Sequence, residues 1–532
     1  MRHYTVPLSN TNWKNKLVED YLTGSEFLKS FYHYEPRIDN FSSVIDDRKK
    51  FKINRSLLVE VLIEQNRSFF TDYPLLKPSI ESLRDENVFT VTTGHQLGIA
   101  GGPLFFIYKI ITAINLSKQL NQQFKNEKVV PVFWMATEDH DFEEIASLRV
   151  FNKTLQWKND SMKGACGGFS TASLKELIEE LKIINGSEGY ASEMNNLLEE
   201  CYQSNLSLAE ATRKFVYALL GHHGIVVLDA NDKRLKKEFA AIMQDELIHH
   251  TSHQMVTATT AQLATQYKAQ VFPREVNLFY MDAAIRERII DQRDGIYKVT
   301  DTDLFFTKDI LLDMLDKYPE RFSPNVIMRP LYQEKILPNL AYIGGAGELA
   351  YWFQLKSLFN HHNVFFPMLI NRNNALIISE KLLKKASSVG INEDELFQDE
   401  QSLIKLVLAR TVKEDFSVTL NTAAVTNEFN DILKKAISID ASMEKYIQAE
   451  RQKTINALES IEKKMVQAIK KKNENSLNVC KQIVDEVFPN NHPQEREQTV
   501  IPYFIKYGWA GIDYFVNVLK PLSHEINVIV SE

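Results

Sequence analysis

Three groups of residues have types and spacings that can do chemistry. The first is Glu138-Asp139-His140-Asp141, with Glu143 and Glu144 close behind, directly after the apolar run 129–135. Unpaired charge is costly to bury, so such a cluster belongs at a site or a surface rather than in a core. It can bind an ammonium group or sugar hydroxyls, hold a magnesium ion, or supply a general base. Asp139, His140 and Asp141 are therefore the catalytic candidates, with Glu138 as a substrate contact. The plainer alternative is an acidic turn that caps the next helix.

The second group is Thr93-Gly94-His95-Gln96-Leu97-Gly98-Ile99-Ala100-Gly101-Gly102-Pro103, with Tyr108 and Lys109 beyond it. Glycines let backbone N–H groups approach an anion, and a following helix adds a favourable dipole. Thr93, His95, Gln96, Gly102, Tyr108 and Lys109 are the substrate-binding candidates here. The spacing matches neither a P-loop nor the dinucleotide fingerprint, so a tight structural turn competes equally. The third group combines Arg274 and Asn277 with Arg329, Gln333, Gly344, Gly345 and Glu348. Its arginines offer forked donors for carboxylate or phosphate, although arginines equally lock domain junctions.

Histidine pairs occur at His222-His223, His249-His250 and His361-His362. Adjacent histidines do not share a helix face as i and i+4 ligands do, so no zinc site is expected from them.

The elements that must position these groups are legible in outline. Residues 88–92 read as a β-rich strand, 104–120 as a helix apolar on more than one face, and 129–135 as a strand buried on both sides. Pro103 suits the first turn of that helix. A helix-rich stretch at about 150–220 interrupts the pattern, and the alternation resumes with a strand at 224–229 and a helix from Lys233. The sequence thus predicts an α/β fold of the doubly wound kind over 1–375, with ligands beyond the carboxyl ends of the strands. Between Pro367 and Pro489 there is no proline and Gly390 is the only glycine, which predicts long helices. Leu458, Ile461, Met465 and Ala468 step by three and four residues, so 376–480 reads as a coiled-coil arm that supports a homodimer. Residues 481–532 are expected to return to the body.

Composition limits the functional classes. The chain is 44% hydrophobic and 25% charged, with a net charge of -7, which argues against a general grip on nucleic acid. Its three cysteines, Cys166, Cys201 and Cys480, form no CxxC pair, and no run approaches a membrane span. A cytoplasmic protein without membrane or nucleic-acid partners is expected.

The segments TGHQLGIAGGPLFFIYK, PVFWMATEDHDFEEI, FPREVNLFY, SPNVIMRPLYQE and AYIGGAGELAYWFQLK resemble those of the bacillithiol cysteine-adding enzymes, in the same order along nearly the whole chain. The resemblance implies a Rossmann-like nucleotidyltransferase core akin to class I aminoacyl-tRNA synthetases, with connective insertions and a coiled-coil domain that supports a dimer. It implies a ligase that adds L-cysteine to the amine of glucosaminyl-malate, the last step of bacillithiol biosynthesis. Segment 93–103 would stand in place of the synthetases' HIGH motif, with His95 facing phosphate. An amide does not form readily from a free carboxylate in water, so ATP is the expected activator, with ADP as a related ligand and Mg2+ as its companion. Asp139 or Asp141 would orient the amine, and Arg274 or Arg329 would hold malate carboxylates. The polar turn after the arm, with Asn490, Gln494, Glu495 and Arg496, and Lys506 beyond, is the expected nucleotide contact. Two other readings remain open: an adenylate-forming enzyme acting on another amino acid or on RNA, and a nucleotide-sensing dimeric scaffold.

Overall fold

A computed structural model describes residues 1–158, 162–411 and 419–532 of the chain. Its centre is a parallel sheet with strands in the order Met368–Asn371, Asn339–Gly344, Val88–His95, Lys128–Met135 and Val226–Asp229. From the Val88–His95 strand the chain builds outwards in one direction and then returns to add two strands on the other side. The crevice between the strands ending at His95 and Gly344 is therefore the switch point, where no crossover helix blocks the carboxyl ends. Val91, Val132, Phe133, Leu228 and Ile343 are fully buried, as expected for strands covered on both faces.

The helix Phe105–Gln123 follows the first core strand, and its apolar residues on several faces pack between the sheet and the closing helix Ile501–Val518. Asn115 Nδ2 fixes that contact by donating to Val516 O at 2.8 Å and Leu519 O at 2.7 Å. The first insertion holds the hairpin Ser147–Val150 with Lys153–Gln156, then the helices Lys175–Asn185, Ala191–Cys201 and Leu208–Leu220.

A second, β-rich insertion follows the strand Val226–Asp229. After the helices Lys233–His249 and Thr251–Leu263 comes a five-stranded antiparallel sheet running from Leu278–Asp282 to Phe322–Pro324. Its strands are short and interrupted by charged residues, as in Ile285–Asp291, so they lack the continuous apolar signal of the central sheet.

The C-terminal region begins at Asn374–Ser379, which pairs in parallel with Glu525–Ser531. The N-terminal strand Arg2–Pro7 joins the same small sheet, antiparallel to Glu525–Ser531. The helices Thr419–Ile439 and Glu444–Lys472 fold back on each other as the arm, bridged by Arg451 Nη1 to Asn430 Oδ1 at 2.9 Å. Residues 412–418 of the expected arm lie outside the described residues. A Rossmann-like parallel sheet with a coiled-coil domain is thus the fold that the sequence predicted. Among the described residues, no helix is long and apolar enough to cross a membrane.

Candidate active site

A cavity of about 450 Å³ opens at the switch point, lined by residues from both sides of the crevice. Gly94, His95 and Gln96 form one wall, Gly345, Gly347 and Glu348 face them, and Asp139 and Glu144 mark an acidic side. Arg329, Arg372 and Arg496 line it with guanidinium groups.

Lys109 and Glu348 close the floor as an ion pair, with Lys109 Nζ also donating to Gly94 O at 3.0 Å. Burial alone would raise the Glu348 carboxyl, but Lys109, the Gly345 amide and Tyr342 more than offset it and hold the group below its usual range. Lys109 is thereby committed to the floor. Arg329 is held by Gln333 Oε1 and the Tyr351 hydroxyl, both at 3.1 Å, and lies over the rings of Trp134 and Tyr342. Such bracing keeps a guanidinium aimed while leaving donors for a carboxylate.

The acidic cluster splits into separate tasks. Glu138 pairs with the buried Lys236. Asp139 reaches the cavity, where Gln96 Nε2 approaches it at 3.4 Å and Arg286 Nη2 at 3.5 Å. His140 Nδ1 meets Arg286 Nη1 at 2.6 Å, and burial followed by that guanidinium lowers its pKa. Because the arginine donates, Nδ1 is the acceptor nitrogen of a neutral ring. Asp141 caps the short helix Phe142–Ile145, accepting from Glu144 N at 3.4 Å. Burial raises the Glu144 carboxyl above its usual range.

The glycine turn is built for tight packing. Gly101 and Gly102 have φ of +79° and +70°, and a Cβ on Gly101 would come within 2.7 Å of Phe106. The amides of Gly101 and Gly102 bond to Gly98 O and Ile99 O, and Ala100 N donates to the Tyr202 hydroxyl. These amides are satisfied within the protein, and Gly102 is absent from the cavity lining. His95 lies against Phe105 and Phe106, and burial followed by nearby Lys109 lowers its pKa to about 3. It can offer an N–H or a lone pair to a ligand but no positive charge at neutral pH.

The other expected contacts fall into two sets. Thr93 Oγ1 ties the two central strands through Ile343 O at 2.9 Å, and Tyr108 is buried against Phe515. Gln333 supports Arg329 from a fully buried position, while Gly344 ends its strand. Asn277 is 1% exposed and bonds to Glu246, Ser252, Asn325 and the Arg274 backbone, so it organises the loop rather than the cavity. Arg274 is exposed on that loop and lies outside the lining.

In the turn after the arm, Gln494 exchanges hydrogen bonds with the Ile377 backbone, and Glu495 grips Arg372 Nη2 at 2.6 Å and Ala375 N at 3.0 Å. Asn490 donates to Glu497 at 2.8 Å. Arg496 alone of this set reaches the cavity, since Lys506 bonds to the Glu532 backbone instead. Trp134, Arg372, Gln270, Asn325, Tyr342 and Tyr351 line the cavity without having been singled out from the sequence. Arg372 carried a usable signal, because it directly follows the apolar strand Met368–Asn371. Arg286 carried none, since it lies 146 residues from the histidine it contacts.

Two family models account for the chain: "Bacillithiol biosynthesis BshC, N-terminal Rossmann-like domain" over residues 1–373 and "Bacillithiol biosynthesis BshC, C-terminal coiled-coil domain" over residues 375–531. The chain belongs to the BshC family. A Flavobacterium johnsoniae protein named "Putative cysteine ligase BshC" is 38% identical over 98% of this chain and 99% of its own length. A Flavobacterium psychrophilum protein of the same name is 39% identical over 98% of both chains. A solved structure from Campylobacter jejuni, titled "putative arginyl T-RNA synthetase", covers 83% of this chain and 98% of its own at 11% identity, with a TM-score of only 0.23. The junction between the two BshC regions falls beside the Arg372 to Glu495 bridge, whose guanidinium and carboxylate side chains are 4% and 2% exposed. In this BshC chain the cavity is therefore a joint product, with Arg496 supplied by the C-terminal region and the remaining lining by the Rossmann-like region.

Proposed function

We propose that the chain is a ligase joining L-cysteine to the amine of glucosaminyl-malate, the last step of bacillithiol biosynthesis, with ATP consumed as co-substrate. The observation that carries this reading is the charge pattern of one cavity, in which Arg329, Arg372 and Arg496 share the lining with Asp139 and Glu144. Both substrates carry carboxylates and amines, and the nucleotide carries phosphates. A cavity lined by both guanidinium groups and carboxylates can orient all of these charges.

In this reading Arg329 and Arg372 hold carboxylate or phosphate oxygens, and Arg496 completes the anion side. Asp139 accepts a hydrogen bond from the glucosamine nitrogen and takes up its proton as the C–N bond forms. The leaving oxygen departs with the activating group. Lys109 and Glu348 serve as the fixed floor, and Arg286 keeps Asp139 and His140 in place. Mg2+ would accompany the phosphates. A homodimer through the arm and a cytoplasmic setting complete the proposal.

The test is reconstitution of purified protein with glucosaminyl-malate, cysteine and ATP, followed by mass spectrometry of the products. Bacillithiol with matching nucleotide consumption is expected. ATP turnover supported by another amino acid, without bacillithiol, would replace this reading with that of a different adenylate-forming enzyme.

A further inference from the structure

Asp245 lies on the helix Lys233–His249, and His361 and His362 stand at the end of the helix Lys356–His361. One ligand atom from each of the three falls within 4.8 Å of the others. The adjacent histidines do not share a helix face, but the fold brings a carboxylate from a second helix to meet them.

Two further observations concern the same atoms. Among the described residues Asp245 Oδ2 is enclosed without a hydrogen-bond donor, and it faces His362 Nε2 at 3.8 Å. The His362 side chain is only 9% exposed. A shielded carboxylate oxygen normally accepts a hydrogen bond, so its lone pairs are left for another partner.

We propose that Asp245, His361 and His362 bind a divalent transition-metal cation of the zinc class, which clamps the two helices together. Two imidazoles and one carboxylate suit Zn2+, Co2+ or Ni2+ rather than Mg2+ or Ca2+, which prefer oxygen ligands alone. Ligand distances near 2.0–2.2 Å need the three atoms about 3.3 Å apart, a closure within reach of small side-chain rotations. Water would fill the fourth position. His361 is exposed, so a cation can enter from solvent.

The experiment uses the full chain stripped with a chelator, titrated with Zn2+ by calorimetry and with Co2+ by visible absorption. One equivalent should bind, the Co2+ spectrum should show the strong visible bands of a low-coordinate site, and Zn2+ should raise the melting temperature. His361→Ala removes an exposed side chain and should leave the apo protein folded, while weakening binding by roughly tenfold or more. Asp245→Asn should do the same and abolish the rise in melting temperature. Absence of stoichiometric binding to the folded wild-type chain, or equal affinity in both variants, would overturn the proposal.

Discussion

Lys109 and Glu348 form an ion pair across the crevice of the central sheet, with the lysine side chain 4% exposed and the glutamate 23%. Removing one member of a buried pair leaves the other charge uncompensated, at a cost of up to about 3–5 kcal/mol when burial is complete. Lys109→Met should approach the lower end of that range in urea unfolding, because Glu348 keeps some contact with water. The double variant K109M/E348Q leaves no charge behind and should be the more stable of the two. Equal stabilities would show that Glu348 does not depend on Lys109.

The acidic cluster gives a sharper test, because the structure separates two neighbouring aspartates. Asp139 reaches the cavity, whereas Asp141 caps a helix, a task that asparagine performs nearly as well. Asp139→Asn should lower thiol formation by roughly a hundredfold with little change in melting. Asp141→Asn should alter neither by much. Near-normal bacillithiol production from a cell carrying D139N would sink the assignment of Asp139 to the amine.

Nucleotide binding should distinguish Arg496 from Lys506. Arg496 lines the cavity, while Lys506 bonds to the backbone of Glu532. Arg496→Ala should weaken ADP binding by roughly tenfold, the scale of one charge-assisted hydrogen bond, and Lys506→Ala should leave it unchanged. Calorimetric titration with ADP measures both, and the reverse ranking would place the nucleotide elsewhere.

Acid stability should carry the signature of His95. Its pKa is depressed to about 3 in the fold, against about 6.5 in an unfolded chain. Between these values the unfolded chain binds a proton that the folded chain does not, so stability is fully present above about pH 6.5 and falls as the pH drops towards 3. His95→Gln removes this contribution. Its melting temperature should fall less than that of the wild type between pH 7.5 and pH 5.5, and parallel curves would show that His95 is not held neutral.

The arm should mediate a homodimer. Tyr446, Ile461 and Met465 on the helix Glu444–Lys472 are 62%, 51% and 37% exposed, although the heptad-like spacing makes Ile461 and Met465 seam residues. Light scattering should give twice the chain mass, and the double change Ile461→Glu with Met465→Glu should give the monomer. A wild-type monomer at micromolar concentration would remove the idea.

The central strands were legible because burial on both faces demands continuous apolar runs, as at 129–135, and because glycines follow the strand that ends at His95. The antiparallel sheet from Leu278 to Pro324 was not, since a half-exposed sheet of short strands has no such run. The sequence by itself determined the alternation of strand and helix, the long helical arm, and the positions of the Gly-rich turn and the acidic cluster, all of which follow from local spacing. Only the tertiary structure decided that Asp139 rather than Asp141 faces the cavity, that the turn at 98–102 uses its amides internally, and that Arg372 and Arg496 meet there from segments more than a hundred residues apart. The reason is physical: hydrophobic period and turn chemistry act between neighbours in the chain, whereas the pairing of Lys109 with Glu348 or Arg372 with Glu495 depends on how strand order and burial bring distant charges together.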